Sequence, residues 1–422
     1  MKLNKELRTI YITTIVCSII FILAWGGKEM VDSPSYIHAA DKLLSGKIDS
    51  LRTPAYPLII GVCKILFGEA IYKFAIIIVQ YIIFLASIYF YYHLVIEIIK
   101  KPRLSFWITM TYAVYPAILS WNNCIMTESL AISGSVFLLF FTLRLFKRFS
   151  VRAAFLFFFW LAFLLFLRPS FLYLLPIYFV FWLACICTKR SRNAFFGIII
   201  TTFVIISELL YVSQFKTNYG VFSPSTVSII NQYYIARQYG IIYVDGIKNE
   251  SLKEEITRSI NQNGISTDNH TILWNETTEL LNKYPYEDVQ QVVSVSMRKN
   301  PVNVLKGAFG RAYKAASRSI SYTPLRGFST IFDMFGANIS FLYLFIITYT
   351  IVIVRWVCRK RKLAYFSILL YMIGTSNLIT AIFGAQQEWS RLILPSMPIY
   401  LLLFGQLCCL FRIGSPLNVD FE

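Results

Sequence analysis

Apolar runs long enough to cross a bilayer recur along this chain, separated by short clusters of Lys and Arg, and no other feature restricts the fold as much. About 30 Å of hydrocarbon takes roughly 20 helical residues. Ten stretches meet or approach that length: 8–26, 72–97, 104–121, 129–146, 153–168, 170–187, 194–213, 338–357, 363–383 and 391–411. Hydrophobic residues make up 57% of the 422, against ~45–50% in ordinary soluble domains, so lipid is expected to solvate most of the chain. The run from Ile10 to Trp25 follows a short basic segment as a signal peptide would. Trp25-Gly26-Gly27-Lys28-Glu29 is a poor cleavage site, however, and the run is read as a retained first span.

The net charge of +18 would suggest nucleic acid in a soluble protein. Here the basic residues gather in alternate connections: Lys2, Lys5 and Arg8; Lys100, Lys101 and Arg103; Arg144, Lys147, Arg148 and Arg152; Lys189, Arg190 and Arg192; Arg355, Arg359, Lys360, Arg361 and Lys362; and Arg412. The outer turns near 122–127 and 384–390 hold none. That asymmetry is the positive-inside pattern, which puts both termini in the cytoplasm and removes the need for a nucleic-acid partner. The cysteines, at 17, 63, 124, 185, 187, 358, 408 and 409, lie mostly in or beside apolar runs and form neither a disulfide framework nor zinc spacing.

Two outer segments remain, 27–71 and 214–337, which divide the chain into a membrane module over 1–213, an outer domain over 214–337 and a second membrane module over 338–422. In the first segment Ser33-Pro34 starts a helix that Gly46 stops. Tyr36, Ala39, Ala40, Leu43 and Leu44 form one apolar stripe on it, which predicts a helix lying in the membrane interface. Thr53-Pro54 opens a second such helix that closes near Gly68, too short at about 21 Å to cross. The outer domain carries 13 Lys and Arg against 10 Asp and Glu, a water-exposed composition. Helices are predicted there over Ser251–Gln262, Pro285–Arg298 and Pro301–Arg318, the last with Val304, Ala308, Ala312 and Ala315 on a face turned to the membrane or a cavity. Its Lys306, Arg311, Lys314 and Arg318 suit either an anionic ligand or a plain interfacial basic face.

Several charged residues fall at the outer membrane boundary, each with two readings. Asp32 is a helix N-cap or a carboxylate set beside a lipid-borne substrate; Arg52 is a headgroup anchor or a phosphate ligand. Arg168 and Arg391, at outer ends of spans, snorkel to headgroups or line a cavity, and Glu128 is a surface carboxylate opening a span or a site residue. His38, His93 and His270 lack partner spacing, so a histidine metal site is not indicated; a divalent cation between Asp32 and Glu128 is the remaining metal arrangement.

Asp32-Ser33-Pro34-Ser35-Tyr36, then Ala39, Ala40, Leu43, Leu44 and Gly46, then Thr53-Pro54-Ala55-Tyr56-Pro57, together resemble the first outer loop of GT-C glycosyltransferases, whose members include protein O-mannosyltransferases and lipid A aminoarabinose transferases. Met126-Thr127-Glu128-Ser129-Leu130, Leu167-Arg168-Pro169, Asn300-Pro301 and the Arg391 to Pro398 stretch agree with it. The resemblance implies an all-α polytopic GT-C fold and inverting transfer of a sugar from a polyprenyl-phosphate carrier to a glycan, lipid or protein hydroxyl outside the inner membrane. It implies Asp32 as the base, Glu128 as a second catalytic carboxylate, and Arg52, Arg168, Arg391, Tyr36 and Tyr56 at the lipid phosphate or sugar, with no cofactor required. Many relatives carry Asp-Glu where this chain has Asp32-Ser33, and Glu128 is the expected substitute. An O-antigen-type polymerase also has about ten spans and a long outer loop, but usually paired Arg-rich loop motifs. A lipid or sugar transporter would be expected to show internal repeats, which are not apparent here.

Overall fold

The computed structural model describes residues 5–189, 192–320, 338–358, 365–385 and 388–413, all in helices and their connections, with no strand among them. Lys2, Arg190, Arg359, Lys360, Arg361 and Lys362 of the basic clusters lie outside the described residues, as does the 321–337 end of the outer segment.

The helices are α1 Lys5–Trp25, α2 Ser33–Leu44, α3 Ala55–Ile99, α4 Pro102–Val114, α5 Pro116–Asn122, α6 Glu128–Lys147, α7 Val151–Leu167, α8 Leu174–Lys189 and α9 Arg192–Tyr219. The outer segment contributes α10 Val227–Gln238, α11 Glu250–Asn263, α12 His270–Lys283, α13 Tyr286–Lys299 and α14 Pro301–Ala316, before α15 Ile339–Cys358, α16 Tyr365–Gly384, α17 Trp389–Ile393 and α18 Met397–Ile413. Among the described residues seven stretches are long and apolar enough to cross a membrane: α1, α3, α6, Pro169–Thr188, α9, α16 and Trp389–Cys409. Val151–Leu167 and Ile339–Arg355 are apolar but shorter. The expected 104–121 run is divided at Pro116, which forces Tyr115 into an extended conformation between α4 and α5.

Gly68 bends α3. Its φ of +71° and ψ of 170° belong to a region that only glycine enters readily, and it separates the short helix expected over 54–67 from the span that follows. Leu58, Val62, Ile65, Leu66 and Phe67 stay exposed on that short helix. The stripe on α2 behaves differently: Tyr36, Ala39 and Ala40 are buried, and α2 packs on α3 rather than presenting this face to lipid.

At the centre stands α6, buried at every position from Glu128 to Leu143 and flanked by α3, α7 and α9. Its Gly134 lets α7 approach so closely that a Cβ there would meet Leu164 at 2.9 Å, the small-residue device of membrane helix pairs. Glu128 is thus placed at the N-terminal end of the most enclosed helix.

The outer domain has a core of its own, built on Phe215, Ile229, Tyr233, Leu252, Ile256, Leu280, Val289 and Val293. The side chains of Asn249 and Asn269 cap α11 and α12. Helices α11, α13 and α14 match the predicted ones within two residues, whereas α10 and α12 have no counterpart in the sequence reading. The domain is tied to the first outer segment: Tyr219 OH donates to the Ile48 carbonyl, and Thr226 donates twice to the Ser50 carbonyl, from N–H at 2.8 Å and Oγ1 at 3.0 Å.

Candidate functional site

Gly26 turns the chain out of α1 at φ +63°, and the following residues run along the segment before α6. Lys28 N–H donates to the Asn123 carbonyl at 2.8 Å, and Ile125 N–H to the Lys28 carbonyl at 3.0 Å. Ser33 extends this seam: its hydroxyl donates to the Ile125 carbonyl at 2.8 Å and accepts from Met30 N–H at 2.7 Å. These neutral bonds carry Asp32 to the start of α6.

Asp32 occupies the N-cap position of α2, yet its side chain makes no cap bond. Oδ1 lies 3.0 Å from Arg52 Nη2 and Oδ2 lies 3.1 Å from Arg391 Nη2. Two guanidiniums outbid a neutral backbone N–H for the carboxylate, so the cap reading falls. Burial opposes the charge on Asp32, but the adjacent Arg52 and Arg391 outweigh it and hold the carboxyl below its ordinary range.

Arg52 is aimed by an Asp49 turn. Asp49 Oδ1 accepts from Leu51 N–H at 2.8 Å and Arg52 N–H at 2.9 Å, while Oδ2 pairs with Lys42 at 2.9 Å. The guanidinium then donates to Ser35 Oγ at 2.8 Å and to Tyr36 OH at 3.3 Å. Directed inward this way, Arg52 does not serve as a headgroup anchor. Tyr56 stands behind Tyr36, edge to face at 5.2 Å, with no exposed surface. Its hydroxyl donates to Gln80 Oε1 at 2.9 Å, and Gln80 in turn donates to the carbonyls of Asn122 and Cys124 at 3.0 and 2.9 Å. Tyr56 therefore supports the seam from behind.

Glu128 lies in the first turn of α6, where the helix dipole favours a carboxylate, and it is fully buried rather than on the surface. Arg391 Nε donates to its Oε1, and Arg168 Nη1 is 3.3 Å from the same oxygen. Both arginines are buried, so neither snorkels. Arg391 completes its set with Nη1 2.9 Å from Glu388 Oε2. Its three nitrogens thus meet three carboxylates, and its guanidinium sits between Asp32 and Glu128, where the cation arrangement would have placed a metal. Among the described residues no group of three or more His, Cys, Asp or Glu is arranged to hold one.

Asp32, Glu128 and Glu388 face Arg52, Arg168 and Arg391, so the cluster is charge-balanced at rest. Its members differ in freedom. The Asp32 side chain is 32% exposed and that of Glu128 is 0% exposed. Among the described residues, Nη1 of Arg168 and Oε2 of Glu128 are buried without hydrogen-bond partners; the 3.3 Å ion pair from Nη1 goes to Oε1 and lacks hydrogen-bond alignment. Arg168 is the guanidinium with donor capacity to spare.

Neither protein-family models nor curated proteins give a match to this chain.

The structure brings together Asp32, Arg52, Glu128, Arg168, Arg391 and Tyr36, and adds Glu388, Ser35 and Gln80, which the sequence reading passed over. Gln80 had a signal, an amide inside an apolar run. Glu388 had only its i, i+3 spacing to Arg391, which is common on any helix.

Proposed function

We propose that this protein is an inverting glycosyltransferase of GT-C type, crossing the cell membrane about ten times with both termini cytoplasmic. It moves a sugar from a polyprenyl-phosphate carrier to a hydroxyl of a glycan, lipid or protein on the outer face. One observation carries the reading: a partly exposed carboxylate, Asp32, shares Arg391 with a fully buried one, Glu128, beside an arginine with an unused donor, Arg168.

An acceptor hydroxyl attacks the anomeric carbon, the bond from that carbon to the carrier phosphate breaks, and the phosphate leaves with the electron pair. Asp32 takes the hydroxyl proton. At rest its two guanidinium neighbours make it a weak base. As the bond breaks, the phosphate gains negative charge and competes for the same guanidiniums. Each one it draws away raises the proton affinity of Asp32 as the hydroxyl proton is released. Arg168, with its spare donor, meets the phosphate without giving up a bond. Glu128 acts as a positioning residue, holding Arg168 and Arg391 at one point.

The test is transfer from a lipid-linked sugar by purified protein. Asp32→Asn keeps size and is expected to lower transfer by about 10²–10⁴-fold while membrane insertion and carrier binding persist. Full activity in that variant would exclude Asp32 as the base. Mass spectrometry of envelope glycans with and without the protein identifies sugar and acceptor.

A further inference from the structure

The two faces of α14 do different things. Gly307, Ala308, Arg311 and Ala315 are buried against the protein, whereas Val302, Leu305, Phe309 and Tyr313 form a bulky stripe left 60–84% exposed. The helix crosses the outer ends of two apolar helices: Tyr343 OH, near the start of α15, donates to the Ala312 carbonyl at 2.9 Å, and Arg311 Nε donates to the Ile382 carbonyl, near the end of α16, at 3.2 Å. A helix so placed, with a bare apolar stripe, lies at the level of lipid headgroups.

Arg311 is 2% exposed, and among the described residues its Nη1 has no hydrogen-bond partner. The Tyr239 ring has its centroid 5.3 Å from the guanidinium, and among the described residues its buried hydroxyl has no partner other than that guanidinium. Gly307 lets the ring lie flat on the helix, since a Cβ there would come within 2.6 Å of it. No carboxylate occurs in α10, α14, α15 or α16, and in α12 and α13, which also pack on α10, Glu276 pairs with Arg237 and Asp288 accepts from Asn249. Among the described residues, Glu388 is paired with Arg391 and Asp268 with Lys314. Burial lowers the proton affinity of Arg311, as expected for a buried cation without an anion, and Tyr239 offsets part of that. Buried polar groups are normally satisfied. Two buried donors beside one unneutralised guanidinium call for an acceptor-only anion, and a phosphate matches both geometry and charge.

We infer that Arg311 and Tyr239 form an anion site, separate from the Asp32 cluster, that takes a phosphate group at the membrane surface. This inference does not depend on the transfer reaction. Native mass spectrometry of the protein extracted in mild detergent is expected to show a retained phospholipid that is lost in Arg311→Gln and reduced in Tyr239→Phe. In the second arm, delipidated protein is titrated with a short-chain anionic phospholipid or with inorganic phosphate and followed by thermal melting. Stabilisation that weakens about tenfold or more in Arg311→Gln is the expected result. If the phospholipid alone produces it, the source is a headgroup; if phosphate produces it, the source is the free ion. Tyr239→Phe, which removes one hydroxyl, gives the same reading should Arg311→Gln fail to fold. No Arg311-dependent binding in either arm would overturn the site and leave an arginine satisfied by trapped water.

Discussion

At the residue scale the chemistry turns on Arg391, because one guanidinium addresses Asp32, Glu128 and Glu388 through three different nitrogens. A lysine ammonium keeps the charge but cannot reproduce that planar fork. Arg391→Lys is therefore expected to lose about 10²-fold or more in single-turnover transfer, with expression and insertion retained; near-normal turnover would show that the fork is dispensable. Glu128→Gln keeps the shape and removes the charge, leaving Arg168 and Arg391 without their shared counter-ion. Breaking a buried pair this way costs ~3–5 kcal/mol, to be read as a lowered melting temperature in detergent. The pH behaviour follows from Asp32. Its carboxyl is held below the ordinary range, so its ion pairs contribute fully above the usual carboxylate pKa and are lost only as pH falls through the depressed value. Transfer should thus show no acid limb from Asp32 between pH 7 and 5. In Arg52→Gln, which removes one cause of the depression, that limb should move to higher pH.

At the scale of elements, special residues mark the places where helices stop serving the membrane and begin serving the site. Gly68 lets one helical stretch change direction between the segment carrying Tyr56 and the span carrying Gln80. Gly68→Ala forces a side chain into a backbone region that costs ~1–3 kcal/mol. A melting temperature and activity equal to wild type would show that the bend is not needed. The helix starts were legible because breakers act locally: α2 begins at Ser33-Pro34 and α14 at Pro301, as expected, although the Ser33 hydroxyl bonds Met30 and Ile125 instead of capping α2. What covers each face was not legible. The apolar stripe of α2 went to α3, and the small-residue face of α14 went to the ends of α15 and α16, leaving a second, bulkier stripe bare. Periodicity reports that a face is apolar but not which neighbour removes it from water.

At the scale of the molecule, the outer domain is tied to the first outer segment at Ile48 and Ser50, so bonds from Tyr219 and Thr226 flank Asp49, which aims Arg52. The proposed orientation makes a direct prediction. Ser45 is exposed just past α2, so Ser45→Cys should react with a membrane-impermeant thiol reagent in intact cells. Labelling only after lysis would put Asp32 on the cytosolic side and remove the proposed chemistry.

The amino-acid order alone established an all-helical membrane protein, the main helix boundaries and a short set of charged residues near helix ends, because hydropathy, capping and charge act over a few neighbouring residues. Only the tertiary structure decided that Asp32, Glu128 and Arg391 meet. The bonds joining them span 263 and 359 positions of chain, and their convergence depends on how the 28–33 strand of chain seats against the start of α6. The same packing decided which readings survived. Helix cap, surface carboxylate and snorkelling arginine are all sound outcomes for an isolated side chain, and each gave way once an opposite charge was enclosed beside it.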